Sequence, residues 1–268
     1  LVVTHYFGFV QKDIDVIAKF CKRNGIILIE DCAHCLGSKY KGKALGTFGD
    51  YAIFSLRKNA PLPHGGALVT NKLDMKNIRS LVKKKAVFPP SEAVNLNLFV
   101  FLGYKLGLVN YGTKITEVLK KFSIKQSLHG PRLADYGGYN LQLSYFEKAL
   151  LPYIKWKDLM SAKRENYLKY LNYFEKNSLG NFVIINKIMI GEYPMFFPIY
   201  VDDSEKFYNN KRHNKLNIQP FWSHRHKFLN WSLFKNESNL KKRIVVLPTS
   251  HFIGYEKLNI ISNLLSRK

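Results

Sequence analysis

The chain is short of acid and of cysteine. Only 19 of its 268 residues are Asp or Glu, against 42 Lys and Arg, for a formal charge of +23. So one-sided a balance suits nucleic acid, an anionic membrane or phosphorylated substrates. No zinc-finger spacing or RNP-type motif accompanies it, and the basic residues are scattered, with short runs such as Lys83-Lys84-Lys85 and Lys241-Lys242-Arg243. A lysine-rich composition that decorates every surface explains this better than nucleic-acid binding, which stays as the lesser alternative. Three cysteines, Cys21, Cys32 and Cys35, are too few for a disulfide framework and point to a reduced, cytoplasmic protein. Cys32 and Cys35 form a C-x-x-C with no second ligand pair beside it. Packing is their expected role, and no metal is expected.

Long apolar runs are missing too. The most apolar segment, residues 93–109, contains Asn95, Asn97 and Lys105. It falls short of the ~20 apolar residues that a membrane-spanning helix needs. A core helix is preferred there over contact with a subunit or a membrane surface. No internal repeat or low-complexity tract appears. What remains is an ordinary globular composition, 46% hydrophobic and 23% charged, long enough for a large domain and a smaller one.

Leu1 to Tyr6 reads as a strand, so the natural N-terminus is expected to lie upstream of Leu1. Asp13 to Arg23 reads as a helix with Ile14, Val16, Ile17, Ala18, Phe20 and Cys21 as its apolar face, stopped by Asn24-Gly25. Ile26-Ile27-Leu28-Ile29 is continuously apolar, as expected of a parallel strand covered on both faces. Strand, helix, strand makes a βαβ unit, whose ligand sits at the carboxyl ends of the strands, where Asp31 lies. Gly37 to Asp50 reads as an exposed excursion. Tyr51–Leu56 and Gly66–Thr70 read as strands, and Leu73–Lys85 as a helix. Further helices are expected over Leu141–Leu151 and Trp156–Lys176, the second long enough to bridge two domains. After Lys176 come short strands (Phe182–Ile185, Met195–Val201, Asn217–Phe221) and helices (Ser204–His213, Tyr255–Leu265), an α+β texture. The domains are therefore placed at 1–176 and 177–268.

Three residue types in this order carry chemistry: Asp31 at a strand end, Ser55 at the end of the next strand, and Lys58 just after it. A carboxylate, a hydroxyl and an amine suit a covalently held cofactor. Alone they suit a metal or nucleotide site as well, and each has a plain structural role available, such as Asp31 capping the turn that follows. His224 and His226, two apart in Phe-Trp-Ser-His-Arg-His, face one way on a strand and could meet a phosphate or substrate.

Order and spacing narrow this. Ile29-Glu30-Asp31-Cys32-Ala33-His34, then residues 48–56 (FGDYAIFSL), then Lys58 with Gly65-Gly66-Ala67-Leu68-Val69-Thr70-Asn71, resemble the DegT/DnrJ/EryC1/StrS sugar aminotransferases. His5-Tyr6-Phe7-Gly8 upstream, residues 138–144 (GYNLQLS) and Leu247-Pro248 extend the likeness over most of the chain. The resemblance implies an α/β fold: the fold-type I large domain of pyridoxal phosphate (PLP) transferases, a mostly parallel sheet between helices, plus a smaller α+β domain. The family's N-terminal phosphate loop and stacking aromatic have no counterpart here, so the large domain is expected to be partial.

It further implies roles for single residues. Lys58 would hold the cofactor covalently and shuttle the proton, Asp31 would pair with the pyridine nitrogen, and His34 would pack against the ring or its O3′. Ser55 would bind the phosphate, joined by Asn140 from the other subunit of a homodimer with shared active sites. The substrates would be a nucleotide-linked keto-sugar and an amino donor, glutamate, in surface-polysaccharide, lipopolysaccharide or deoxyaminosugar synthesis. Lys58, where sugar dehydratases carry His, argues against that relative. A catalytically inactive PLP-fold regulator or partner subunit is the main alternative.

Overall fold

Two neighbouring parallel strands need a crossover between them, and the first helix supplies it. The computed structural model describes residues 1–60, 62, 65–72, 143, 145–209, 219–220, 230–249 and 255–265. Asn140, His224, His226 and the apolar segment 93–109 lie outside the described residues, as do the expected helix 73–85 and the loop prolines Pro61 and Pro63. The chain divides into two compact units, Leu1–Leu159 and Met160–Lys268.

In the first unit, β1 (Val2–Thr4), α1 (Ile14–Arg23) and β2 (Ile29–Asp31) form the βαβ unit. β5 (Tyr51–Ser55) pairs parallel with β2, and β6 (Gly66–Thr70) pairs antiparallel with β5, giving the order β1-β2-β5-β6. A two-stranded hairpin, β3 (Lys39–Tyr40) with β4 (Lys43–Ala44), sits between β2 and β5 in sequence. A four-residue helix, α2 (Leu56–Asn59), follows β5 directly. α2 is anchored by Leu56, which packs in a core with Leu62, Leu150 and Ile154, the last two from α3 (Tyr145–Leu150) and the turn after it.

Three expectations need correction here. The run Ile26–Ile29 is not covered on both faces: the strand begins only at Ile29, Leu28 is buried, and Ile26 and Ile27 are exposed. Residues 26–28 are the approach to the strand, with Leu28 tied by its N–H to Asp50 Oδ2 at 2.8 Å. In α1, Ile14 and Cys21 are buried and Ile17 and Ala18 half-buried, while Val16 and Phe20 are exposed. Positions 14, 17, 18 and 21 form one helical stripe, and 16 and 20 fall off it. Nor is Gly37–Asp50 merely an exposed excursion: Tyr40 and Leu45 are buried and the 46–49 loop is pinned from beneath.

The second unit is α+β. Its three-stranded antiparallel sheet runs β7 (Phe196–Tyr200), β9 (Ile244–Pro248), β8 (Gln219–Pro220), with β9 central and buried from Ile244 to Leu247. Helix α4 (Trp156–Lys176) presents Tyr167, Tyr170 and Phe174, spaced i, i+3, i+7, with ring centroids 4.8, 4.9 and 5.3 Å from that of Phe197. Shorter helices α5 (Ser204–Asn209) and α6 (Lys235–Arg243) follow, and α7 (Tyr255–Leu265) buries Leu258, Ile261 and Leu265. The strand expected over Phe182–Ile185 is absent: a short 3-10 turn covers Gly180–Phe182, and Val183 makes only an isolated bridge to Ile199. β9 and α6 were not expected from the sequence. Among the described residues no helix is long and apolar enough to cross a membrane.

Candidate active site

Alternation along a strand sends successive side chains to opposite faces, and β2 uses this fully. Asp31 lies on the face shared by Thr4, Ile53 and Leu68, its partners across the sheet, and Ser55 lies two residues beyond Ile53 on the same face. Ile53 and Leu68 are 46% and 47% exposed there. Glu30, one residue earlier, points the other way with Val3 and Ala52 and is fully buried. Asp31 Oδ1 accepts the Ala33 N–H at 3.0 Å, a turn that carries the chain into His34.

Lys58 sits on α2, just past the end of β5. Its Nζ lies 2.9 Å from His34 Nε2, so two residues 24 apart in sequence meet at the carboxyl ends of the parallel strands. An ammonium only donates, so with Lys58 charged the imidazole accepts. Burial lowers the Lys58 pKa, the neighbouring Arg57 lowers it further, and the Asp31 carboxylate opposes both. The net downward shift raises the share of neutral amine, the nucleophilic form. Ser55 is the N-cap residue of α2, yet its hydroxyl makes no cap bond, so it is not committed to the turn. Asp31, His34, Ser55 and Lys58 are thus gathered at one end of one sheet.

Two residues to which the sequence assigned no role hold this end together. Glu30 accepts backbone N–H groups from Gly46 (2.8 Å), Phe48 (2.7 Å) and Gly49 (2.6 Å), and lies 3.2 Å from His5 Nε2. Burial alone pushes its carboxyl up, but His5 and the three N–H groups together hold it below the usual range. Asn59, also buried, donates to Ala33 O and Ser55 O. A glutamate one residue before Asp31, followed by the glycine-rich 46–49 loop with its close-set N–H groups, was the available signal for Glu30. Asn59 had no sequence signal.

His5, Glu30 and Cys32 offer ligand atoms within 4.8 Å of one another, all buried. They do not fit a metal. His5 Nδ1 accepts the Gln11 N–H at 3.1 Å, which leaves the ring proton on Nε2, directed at Glu30. Glu30 is already serving four donors. Cys32 and Cys35 are fully buried, as expected of packing residues.

Two parallel pairings and an antiparallel edge strand, with Lys58 on the turn after β5 and Asp31 at the end of β2, make an α/β arrangement of the fold-type I transferase kind. The chain belongs to the DegT/DnrJ/EryC1/StrS aminotransferase family, whose model matches residues 1–265. It is 41% identical over 73 residues to the GDP-perosamine synthase of Escherichia coli O157:H7, covering 26% of this chain and 20% of that protein. It is 39% identical over 87 residues to the UDP-4-amino-4,6-dideoxy-N-acetyl-beta-L-altrosamine transaminase of Campylobacter jejuni, covering 30% and 23%. Among solved structures, a family aminotransferase from Brucella abortus superposes with a TM-score of 0.61 at 16% identity, over 98% of this chain and 62% of that one. Helicobacter pylori PseC superposes with a TM-score of 0.57 at 18% identity, over 98% and 65%. The chain therefore spans about three fifths of the length of these solved relatives and matches about a fifth of the curated ones.

Proposed function

We propose that the protein is a PLP-dependent aminotransferase that transfers an amino group from glutamate to a nucleotide-linked keto-sugar. The observation that carries this is the Lys58 amine, half-buried, 2.9 Å from His34 and within reach of the Asp31 charge. These residues fit the aldehyde and ring end of PLP: an amine with a lowered pKa, an imidazole beside it, and a carboxylate at the adjacent strand end. When bound, PLP supplies an electron sink for the charge that builds up as a proton leaves the substrate carbon.

Lys58 would hold the cofactor covalently and, once displaced by the amino donor, carry the proton between the two carbons concerned. Asp31 would keep a proton on the ring nitrogen. His34 would aim the lysine, and Ser55 would donate to the phosphate. Asn140 would add a phosphate contact from the second subunit of a homodimer, and His224 and His226 would face the sugar nucleotide. The names of the two curated relatives support a nucleotide-sugar substrate, and the excess of positive charge favours an anionic one. A cytoplasmic enzyme of surface-polysaccharide synthesis is the setting we infer.

The test is reductive trapping. One equivalent of PLP should give a visible absorption band and, after borohydride, a tag on Lys58; Lys58→Met should lose both while keeping its circular dichroism. Glutamate and a nucleotide-linked keto-sugar should then yield the amino sugar. Tags scattered over surface lysines, equally in Lys58→Met, would sink the proposal and favour the inactive regulator.

A further inference from the structure

We infer that Asn59 is a positioning residue whose side-chain amide ties the loop bearing His34 to the turn bearing Lys58. Its Nδ2 donates to Ala33 O at 3.0 Å and to Ser55 O at 2.7 Å, and the residue is 4% exposed. The Ser55 bond spans four residues and closes the first turn after β5. The Ala33 bond spans 26 and reaches the loop after β2.

Asn59 adjoins Lys58, and Ala33 adjoins His34. The Asn59–Ala33 and Lys58–His34 bonds therefore run side by side between the same two segments. Resting on the function proposed above, the second of these is interrupted whenever the amine reacts. The amide of Asn59 takes no part in that chemistry, so its bond persists and keeps His34 in register for the lysine's return. A buried amide that satisfies two carbonyls with its two N–H groups is also hard to replace. Leucine leaves both carbonyls without that donor, and aspartate turns an acceptor toward them.

Lys58 reports on this clamp directly. Reductive methylation with 13C-formaldehyde gives each lysine a resonance whose shift follows its titration, without cofactor or substrate. Among the described residues, the groups acting on Lys58 are His34 from the loop after β2, Asp31 from β2 and Arg57 from α2, and none is altered by changing Asn59. In Asn59→Leu, Lys58 loses its shelter, and its midpoint should rise by about one pH unit, a tenfold drop in neutral amine at any pH below both midpoints. Lys41 and Lys72, both on the surface, should not move. Asn59→Ser, which keeps one donor, should fall between, and it serves alone if Asn59→Leu does not fold.

A lowered melting temperature with an unmoved Lys58 midpoint in Asn59→Ser would mean that Asn59 is merely structural, and would overturn the inference. Failure of PLP to tag Lys58 would defeat the proposed function instead and leave this titration untouched.

Discussion

Glu30 and Asp31 are neighbours on one short strand, with the same charge, and their surroundings have nothing in common. Glu30 is sealed under the sheet and served by three backbone N–H groups and His5. Asp31 looks onto a face where Val2, Ile53 and Leu68 are about half exposed or more. A carboxylate whose lone pairs are all engaged has nothing left for a ligand, whereas one spent only on a local turn keeps its charge available. The sealed face builds the loop; the open face leaves a carboxylate within reach of a ligand.

The contrast can be broken most forcefully at Glu30. Glu30→Gln places an amide donor among three N–H donors in a buried site and should cost ~3–5 kcal/mol, read as a lower midpoint in urea unfolding. Asp31→Asn should leave the same midpoint nearly unchanged. Acid sharpens the point. The Glu30 carboxyl is held below its usual range, so its contribution is complete above the ordinary glutamate pKa of about 4.3 and is lost as pH falls through the lowered folded value. The stability of the natural protein should drop on acidification, and Glu30→Gln should flatten that limb of the curve.

A smaller effect is expected from the loop that Glu30 holds. A Cβ on Gly49 would stand 2.7 Å from the Leu28 carbonyl oxygen, so Gly49→Ala should destabilise by ~1–3 kcal/mol, measured the same way. Smallest is Leu68→Thr on the open face, 47% exposed, where a change within ~0.5 kcal/mol is expected. A loss as large as that of Gly49→Ala would show that the open face is covered and would remove the contrast.

Much of this was legible beforehand. α1 announced itself by its apolar face and its Asn24-Gly25 stop, α4 was expected over its full length, and the order Asp31, His34, Ser55, Lys58 was visible as a motif. The residues that failed did so for local physical reasons. Ile26 and Ile27 look like strand core because an apolar run carries no mark of where pairing begins, and that depends on the partner strand. Val16 and Phe20 are apolar but sit off the buried stripe. Phe182–Ile185 has strand-like residues, yet β7 pairs with β9 instead, a contact across about fifty residues that no local pattern encodes.

At Asp31 and Lys58 the sequence by itself determined which groups were present and in what order, and strand alternation alone puts Glu30 and Asp31 on opposite faces. Only the tertiary structure decided that Lys58 lies 2.9 Å from His34, that Asn59 bridges their segments, and that Glu30 is spent on a loop. Side-chain alternation is a property of one strand, whereas the distance between two loops depends on how separate strands are registered in a sheet. The first can be read along the chain; the second exists only once the chain has folded.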